Sequence, residues 1–128
     1  MKTVTAGVLR KSDGRVLLVR RAQGQKLAGK WEFPGGKVEE GESLPKCLER
    51  ELREELGIEV RAGEVIATSD YAYEHGLIRL VAMHVEWLSG QLELRVHDQQ
   101  AWLHPEEMLS IDLAPADIPV VASLKKPP

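Results

Sequence analysis

The stretch GKVEEGESLPKCLERELREELGI, residues 36–58, decides the fold of this chain. It begins with a glycine, places Glu42 after five further residues, and reaches the series RELREELGI at residues 50–58 after seven more. Nine of these 23 positions carry the residue types of a single pattern. A pattern of this length is far more specific than a short glycine motif, so it outweighs every other signal in the sequence.

The second half of the stretch has the periodicity of an amphipathic helix. Apolar residues recur every four positions, at Leu44, Leu48, Leu52 and Leu56. Ser43 is suited to cap the amino-terminal end, and Pro45 falls in the first turn, where a missing N–H costs little. Gly57 follows the last leucine, as glycine commonly does just beyond a helix. The sequence therefore predicts a helix from Leu44 to Leu56.

Three glutamates lie on or near the apolar face of this helix. At roughly 100° per residue, Glu51 and Glu55 border the leucine stripe, and Glu54 lies about a quarter-turn further round. Like charges four residues apart destabilise an isolated helix by about 0.2–0.5 kcal/mol, so this face needs a compensating positive charge. Carboxylate oxygens are ligands that Mg²⁺ prefers in proteins. The alternative is an ordinary solvated helix whose glutamates form weak surface pairs with Arg50.

The segment before the helix, WEFPGGK at residues 31–37, joins a short apolar strand to a glycine turn. Pro34-Gly35-Gly36 lets the backbone approach a ligand without an obstructing Cβ atom. A carbonyl freed at this turn is available to complete a metal coordination shell. Most glycine pairs form simple turns. This pair is informative because Gly36 lies six residues before Glu42.

Residues 36–58 resemble the Nudix box, with every fixed position filled. The similarity to the MutT and CTP pyrophosphohydrolase branch of that family covers nearly the whole chain, including Thr3–Arg10, Arg15–Arg20, Lys30–Lys37, Trp102 and Leu113–Val120. The resemblance implies an α/β fold, the Nudix α/β/α sandwich with a mixed β-sheet flanked by helices. We accordingly expect a single Nudix domain over residues 1–124 and a frayed tail at residues 125–128.

Composition narrows the class of protein. A chain of 128 residues with 43% hydrophobic and 29% charged residues can bury one core. The net charge of -3 argues against binding to duplex nucleic acid, which needs a basic surface. The sequence shows neither a secretory signal nor an apolar run of membrane-spanning length, and its single cysteine, Cys47, excludes an intramolecular disulfide. We expect a cytoplasmic protein without a membrane partner, monomeric, with a dimer as the alternative.

Hydrophobic patterning predicts six strands and a second helix. The strand candidates are Thr3–Arg10, Arg15–Arg20, Trp31–Phe33, Glu59–Ser69, Ile78–Trp87 and Ala101–Leu103. The second helix is predicted from Ala116 to Leu124, after a helical turn at residues 106–108. This order agrees with helices packed on a mixed sheet.

The resemblance also implies the chemistry of the site. Glu51, Glu54 and Glu55 match the box carboxylates that bind metal, and the Gly35 carbonyl is expected as a further ligand. Mg²⁺ is the expected cofactor, with Mn²⁺ as a substitute. Either Glu51 or Glu54 is expected to orient or deprotonate the attacking water, and the sequence leaves both candidates open. Arg50 is expected to aim a glutamate.

The chain departs from its relatives before Trp102. Many relatives place a metal-site glutamate six residues before that tryptophan, where this chain has Val96. Asp98 lies two positions further on and would face the same way on a regular extended segment, so it is the candidate replacement in catalysis. His97 is interpreted as a loop histidine rather than a ligand.

Residues for substrate binding are proposed on both sides of the glycine turn. These residues are Arg21, Lys26, Trp31, Glu32, Phe33, Lys37 and Asp117. The Arg21 guanidinium suits phosphate oxygens, and the aromatic rings suit a base pocket. Asp117 has two interpretations: as an ionised carboxylate it selects a base edge rich in N–H donors, or it caps the last helix.

The expected activity is hydrolysis of phosphoric anhydrides. By resemblance, a nucleoside triphosphate is cleaved to a nucleoside monophosphate and pyrophosphate, with modified (8-oxo-dGTP-like) or CTP-type nucleotides as substrates in nucleotide-pool sanitation. The alternatives are another nucleoside diphosphate derivative, such as an RNA 5′-triphosphate end or a nucleotide sugar, and a non-catalytic nucleotide sensor.

Overall fold

Strands and helices follow one another in an order close to the prediction in the computed structural model, which describes residues 1–125. The strands are β1 Lys2–Leu9, β2 Val16–Arg21, β3 Trp31–Glu32, β4 Glu59–Tyr73, β5 Gly76–Ser89 and β6 His97–Leu103. The helices are α1 Leu44–Leu56 and α2 Ile118–Lys125, with 3-10 turns at Pro105–Ser110 and Pro115–Asp117. Lys125 ends α2, so the expected frayed tail does not include it, and the rest of that tail, residues 126–128, lies outside the described residues.

Two three-stranded sheets form the centre of the fold. In one, β1 pairs in parallel with β5 and β5 pairs antiparallel with β4. In the other, β2 pairs antiparallel with both β3 and β6. Parallel and antiparallel pairings therefore coexist, as expected for the mixed α/β fold.

The strands place alternate residues on opposite faces, and each face is covered by one helix. Val16 and Leu18 of β2 lie in a core cluster with Val120 and Val121 of α2. Leu17 and Val19 lie in the other cluster, together with the α1 leucines Leu48, Leu52 and Leu56. Because side chains along a strand alternate between its two faces, β2 can contribute to both core clusters. This alternation produces the α/β/α layers.

Helix α1 has the bounds that the leucine spacing predicts. The Ser43 hydroxyl accepts a hydrogen bond of 3.3 Å from the Lys46 amide, and Pro45 lies in the first turn. Gly57 ends the helix in the left-handed conformation, with φ 70°. Each fully buried leucine stabilises the packing by roughly 1.5–3 kcal/mol, so the helix that carries the box glutamates is fixed firmly against the sheets.

The boundaries of two strand pairs differ from the prediction. The β4–β5 hairpin continues to Tyr73 and Gly76, beyond the predicted Ser69 and Ile78, because backbone pairing between the two strands persists through these residues. Strand β6 begins at His97 instead of Ala101 for the same reason. Backbone pairing with a neighbouring strand thus extends both elements through residues that alternation alone assigns to loops.

The glycine turn is held between β1 and α1. Residues 34–38 run beside β1, with Gly7 N donating to Pro34 O at 2.6 Å and Thr5 N to Gly36 O at 2.8 Å. A Cβ atom on Gly35 would lie 2.7 Å from the Thr5 carbonyl carbon. A Cβ atom on Gly36 would lie 2.7 Å from Glu51 Cγ. Glycine at both positions is therefore what allows the turn to sit against the strand and the glutamate together.

Neither helix in the described part of the chain has the length and apolar character needed to cross a membrane.

Candidate active site

A cleft of about 300 Å³ opens between the glycine turn, the amino-terminal half of β1 and the tip of the β4–β5 hairpin. One end is charged and is lined by Arg21, Glu32, Gly35, Glu51 and Glu55. The other end is mostly apolar and is lined by Phe33, Tyr73, Ile78, Leu80, Ala116 and Asp117. A cleft with one polar and one apolar end has the general character of a small-molecule site.

Arg50 joins three carboxylates at the edge of the charged end. Its Nε atom lies 2.6 Å from Glu42 Oε2, and its Nη1 atom lies 2.8 Å from Glu51 Oε1 and 2.9 Å from Glu54 Oε1. Hydrogen bonding to Arg50 lowers the pKa of Glu42 to about 2, and Glu42 in turn raises the pKa of Arg50. These contacts are those expected of an arginine that aims a glutamate.

Glu55 is a mostly buried carboxyl group that lines the cleft. Its Oε1 atom is buried and has no hydrogen-bond partner among the described residues. Burial, followed by the charges of Glu51 and Glu32, raises the pKa of Glu55 to about 8. Burial also raises the pKa of Glu51, against the opposing hydrogen bond from Arg50. Two neighbouring carboxylates are thus held where a positive charge would stabilise both of them.

These oxygens fit a hard divalent cation. Glu51 and Glu55 line the cleft beside Gly35, whose carbonyl accepts no hydrogen bond from the described residues, whereas the Gly36 carbonyl is bonded to Thr5. Carboxylates with a backbone carbonyl form a donor set typical of Mg²⁺.

The Glu54 side chain lies apart from Glu51, Glu55 and the Gly35 carbonyl. Its side chain is 53% exposed and bonded to Arg50, outside the cleft lining. Correspondingly, no three His, Cys, Asp or Glu side chains within residues 1–125 are arranged around a common metal position. An exposed pair of this kind contributes only about 0–1 kcal/mol, so a rotation of Glu54 toward a bound cation costs little.

Arg21 lines the charged end but is already paired. Its Nη1 atom lies 3.2 Å from Glu32 Oε1, and its Nε atom donates to the carbonyl of Lys26. On the other side of Glu32, Oε2 lies 3.0 Å from His97 Nε2. Lys26 and Lys37 also line the cleft, as the sequence predicts for substrate-binding cations.

Asp98 requires a correction. Its carboxylate is bonded to Arg20 at 2.8 Å and lies outside the cleft lining, so the structure does not place it where the missing glutamate would act. The cause is a β-bulge in β6: Arg20 pairs with Gln99 and Arg21 pairs with His97, which leaves Asp98 as the additional residue. A bulge interrupts the alternation of side chains. His97, interpreted as a loop residue, is instead part of β6 and turns inward, with 7% of its surface exposed.

The two aromatic candidates separate. Phe33 is 2% exposed and lines the cleft. Trp31, proposed for the base pocket, instead packs against the core cluster that contains Phe33, while its backbone bonds to Asp112 and Ala114. Strand β3 ends at Glu32, so Phe33 lies beyond the strand and strand alternation does not tie its ring to the position of Trp31.

Asp117 lies in the apolar end of the cleft. It is 4% exposed, and its Oδ1 atom accepts a hydrogen bond of 3.0 Å from the Phe33 amide. This bond ties the Asp117 carboxyl to the residue that follows β3 and not to the first turn of α2, which favours the base-binding interpretation over the cap. Burial, and next the charge of Glu32, raise the pKa of Asp117 well above its ordinary value.

Sequence reasoning missed the hairpin tip. Tyr73 lines the cleft, and its hydroxyl accepts a hydrogen bond of 2.8 Å from the Ala116 amide. Ile78 and Leu80 continue the same wall. Because side chains two apart share one face of a strand, the Tyr-x-Tyr spacing at residues 71–73 and the Ile-x-Leu spacing at residues 78–80 were the available signals.

Comparisons with known proteins agree with this arrangement. A family model described as NUDIX domain matches residues 1–124. The CTP pyrophosphohydrolase of Escherichia coli K12 is 45% identical over 121 residues, which cover 94% of this chain and 89% of that protein. The 8-oxo-dGTP diphosphatase of the same strain is 31% identical over 123 residues, covering 96% and 95%. The crystal structure of a MutT protein from Methanosarcina mazei Go1 superposes with a TM-score of 0.88 at 25% identity, covering 98% and 96%.

Proposed function

The chain belongs to the NUDIX family, and from that membership we propose that it hydrolyses nucleoside triphosphates to a nucleoside monophosphate and pyrophosphate. Members of this family generally use divalent metal ions, and relatives of this chain act on nucleotides. The observation that supports the proposal is the buried, unpartnered oxygen of Glu55 beside Glu51, in a cleft that also presents Arg21. The catalytic unit is proposed to be residues 1–124.

Magnesium is the proposed cation, held by Glu51, Glu54, Glu55 and the carbonyl of Gly35. When bound, it would offset negative charge that develops on the phosphates and would make a water molecule more acidic. Arg50 keeps Glu51 and Glu54 oriented from behind. Either of these glutamates is proposed to orient or deprotonate the water.

Cations on the other side of the cleft bind the phosphate chain. Arg21 offers a guanidinium whose remaining N–H groups suit phosphate oxygens, while exposed Lys26 and Lys37 supply mobile positive charge at the mouth. The Glu32 carboxylate holds Arg21 in place. These three cations offset the charge of a substrate that carries several negative phosphates into a cleft lined by carboxylates.

The apolar end selects the base through Asp117 and Phe33. Burial raises the pKa of Asp117 and so favours its neutral form, which changes the expectation based on an ionised aspartate. A neutral carboxyl donates through its O–H and accepts through its carbonyl oxygen. It therefore pairs with a base edge that sets an acceptor beside an amine, as N3 and N4 of cytosine or N1 and N6 of adenine do. We propose CTP-type nucleotides as the preferred substrates.

A panel of canonical, methylated and oxidised nucleoside triphosphates, with Mg²⁺ or Mn²⁺, tests the proposal. Phosphorus NMR is expected to show pyrophosphate and a monophosphate as the products, with CTP-type substrates cleaved fastest. Glu55→Gln is expected to abolish hydrolysis, whereas the exposed Glu86→Gln serves as the matched control. Release of orthophosphate instead of pyrophosphate, or full activity of Glu55→Gln, would refute the assignment.

A second candidate substrate is favoured by one observation. An open groove adjoins the cleft and is lined by Lys26, Lys30, Tyr71 and His75. Aromatic rings beside cations suit a further nucleotide. An RNA 5′-triphosphate end is therefore the second candidate, and a triphosphorylated dinucleotide added to the panel distinguishes it: a lower KM than that of the matching mononucleotide supports it.

A further inference from the structure

A chain of three side chains forms the wall of the cleft behind the proposed phosphate site. His97 Nε2 lies 3.0 Å from Glu32 Oε2, and Glu32 Oε1 lies 3.2 Å from Arg21 Nη1. Exposure of the side chains increases along this chain, from 1% for His97 to 17% for Glu32 and 27% for Arg21. The histidine is thus the buried support, and the arginine is the member that reaches solvent and substrate.

The bulge in β6 is what brings the histidine to this position. His97 pairs with Arg21 across the strands, and the additional residue, Asp98, is turned away toward Arg20. Bulges near active sites commonly re-aim a side chain. Here the consequence is that a buried imidazole, and not a carboxylate, stands behind Glu32.

The hydrogen-bond chemistry gives the imidazole a definite role. Nε2 faces a carboxylate oxygen, so it must be the nitrogen that carries a proton and donates. Nδ1 is buried and has no partner among the described residues. The ring is therefore anchored at one point, and that anchor is Glu32.

Arg21 keeps donors available for a ligand in this arrangement. Its Nε donates to the Lys26 carbonyl and its Nη1 donates to Glu32, while Nη2 donates to none of the described residues. Arg21 Nη1 donates to both Glu32 oxygens, at 3.2 Å to Oε1 and 3.3 Å to Oε2. Without the bond from His97, Glu32 would be held by Arg21 alone and would be free to rotate with it. A carboxylate fixed from behind limits the arginine to one geometry.

We propose that His97 is a positioning residue for substrate binding, which fixes Glu32 so that Glu32 holds the Arg21 guanidinium with its free N–H groups directed at the phosphate chain. The proposal rests on the proposed hydrolysis of nucleoside triphosphates. It assigns a function to a residue that neither the box nor the missing glutamate predicts.

Steady-state kinetics with CTP and Mg²⁺ test this role. His97→Leu introduces an apolar side chain of similar size that cannot donate, and we expect its KM to rise about tenfold with a smaller change in kcat, because a hydrogen bond to a charged group is lost. His97→Gln restores an N–H donor and should recover most of the loss. The control is His84→Leu, which removes an exposed histidine from β5 and should leave KM unchanged.

A double-mutant cycle separates positioning from general loss of packing. If His97 acts through Arg21, His97→Leu will add little to the KM of Arg21→Ala. Additive effects of the two substitutions, or equal rises in KM for His97→Leu and His97→Gln, would overturn the proposal. So would a His97→Leu enzyme that behaves like His84→Leu.

Nitrogen-15 NMR of the histidine rings provides a readout that does not depend on turnover. The wild-type spectrum should show His97 protonated at Nε2, with a signal that shifts in Glu32→Gln while that of His84 does not. A signal unaffected by Glu32→Gln would refute the contact. If the contact is present but wild-type protein hydrolyses no triphosphate, the proposed function fails and the His97 proposal fails with it, whereas normal hydrolysis without the contact rejects only the His97 proposal.

Discussion

Gly36→Ala should damage catalysis while leaving the fold intact. The added Cβ atom would clash with Cδ and Oε2 of Glu51 and would lie 2.7 Å from its Cγ, whereas ordinary contacts begin at 3.4 Å. The carboxyl group of Glu51 must therefore move by more than the difference for Cγ, about 0.7 Å. Misplacement of a catalytic group by about 1 Å can cost roughly 10²-fold in rate. We therefore expect kcat to fall by about 10- to 100-fold. Stability should change little, because the clash falls on a side chain that can rotate.

The assay pairs CTP hydrolysis with urea unfolding of each variant. Gly63→Ala is the matched control, since its Cβ atom would meet nothing nearer than 3.6 Å and both measurements should be unchanged. Gly35→Ala should behave oppositely to Gly36→Ala, because its Cβ atom meets the backbone of Thr5 and Ala6 and must disrupt the pairing of the turn with β1. A Gly36→Ala enzyme with wild-type kcat, or one that unfolds as readily as Gly35→Ala, would refute the reasoning.

Arg50→Leu removes the cation bonded to Glu42 and Glu54 and should lower kcat by about 10- to 100-fold, as loss of a group that orients ligands typically does; an unchanged kcat in the CTP assay would contradict it. Asp117→Asn should flatten the pH dependence of stability. The raised pKa makes the wild-type contribution complete below the ordinary value of 3.8, and this contribution is lost as pH rises from 3.8 toward the folded value. Urea unfolding measured from pH 3.8 upward will detect the difference in slope between the two proteins. Asp98→Ala should change turnover little because its carboxylate faces away from the cleft, and a marked loss of kcat would return Asp98 to the mechanism.

The sequence predicted the helix and the charged end of the cleft well, for a physical reason. Leucines four residues apart, with Ser43 and Gly57 at the ends, define α1 through local interactions alone. The side chains that border its apolar stripe are then fixed in direction, which places Glu51 and Glu55 at the cleft. Local periodicity is sufficient to predict the direction of site side chains that lie on a single helix.

The remaining features of the cleft depend on pairing between strands that are distant in sequence. Whether Asp98 or His97 faces inward is decided by a bulge opposite β2, and a bulge leaves no mark in the alternation of an already polar segment. Tyr73 reaches the cleft because the β4–β5 hairpin extends past its apolar residues. Arg21 was predicted at the phosphate end, but its pairing with Glu32 required the register of β2 against β3.

Arg50 also bears on how the apoprotein is kept folded. By pairing with Glu42, Glu51 and Glu54 from within the chain, its guanidinium acts as a built-in counterion that relieves part of the repulsion among these acids without an external ion. Loading of the site then becomes an exchange of partners rather than a folding event. Treatment with a chelator should inactivate such an enzyme reversibly without unfolding it. Occupancy of the metal site should then follow the free concentration of the ion in the surrounding solution.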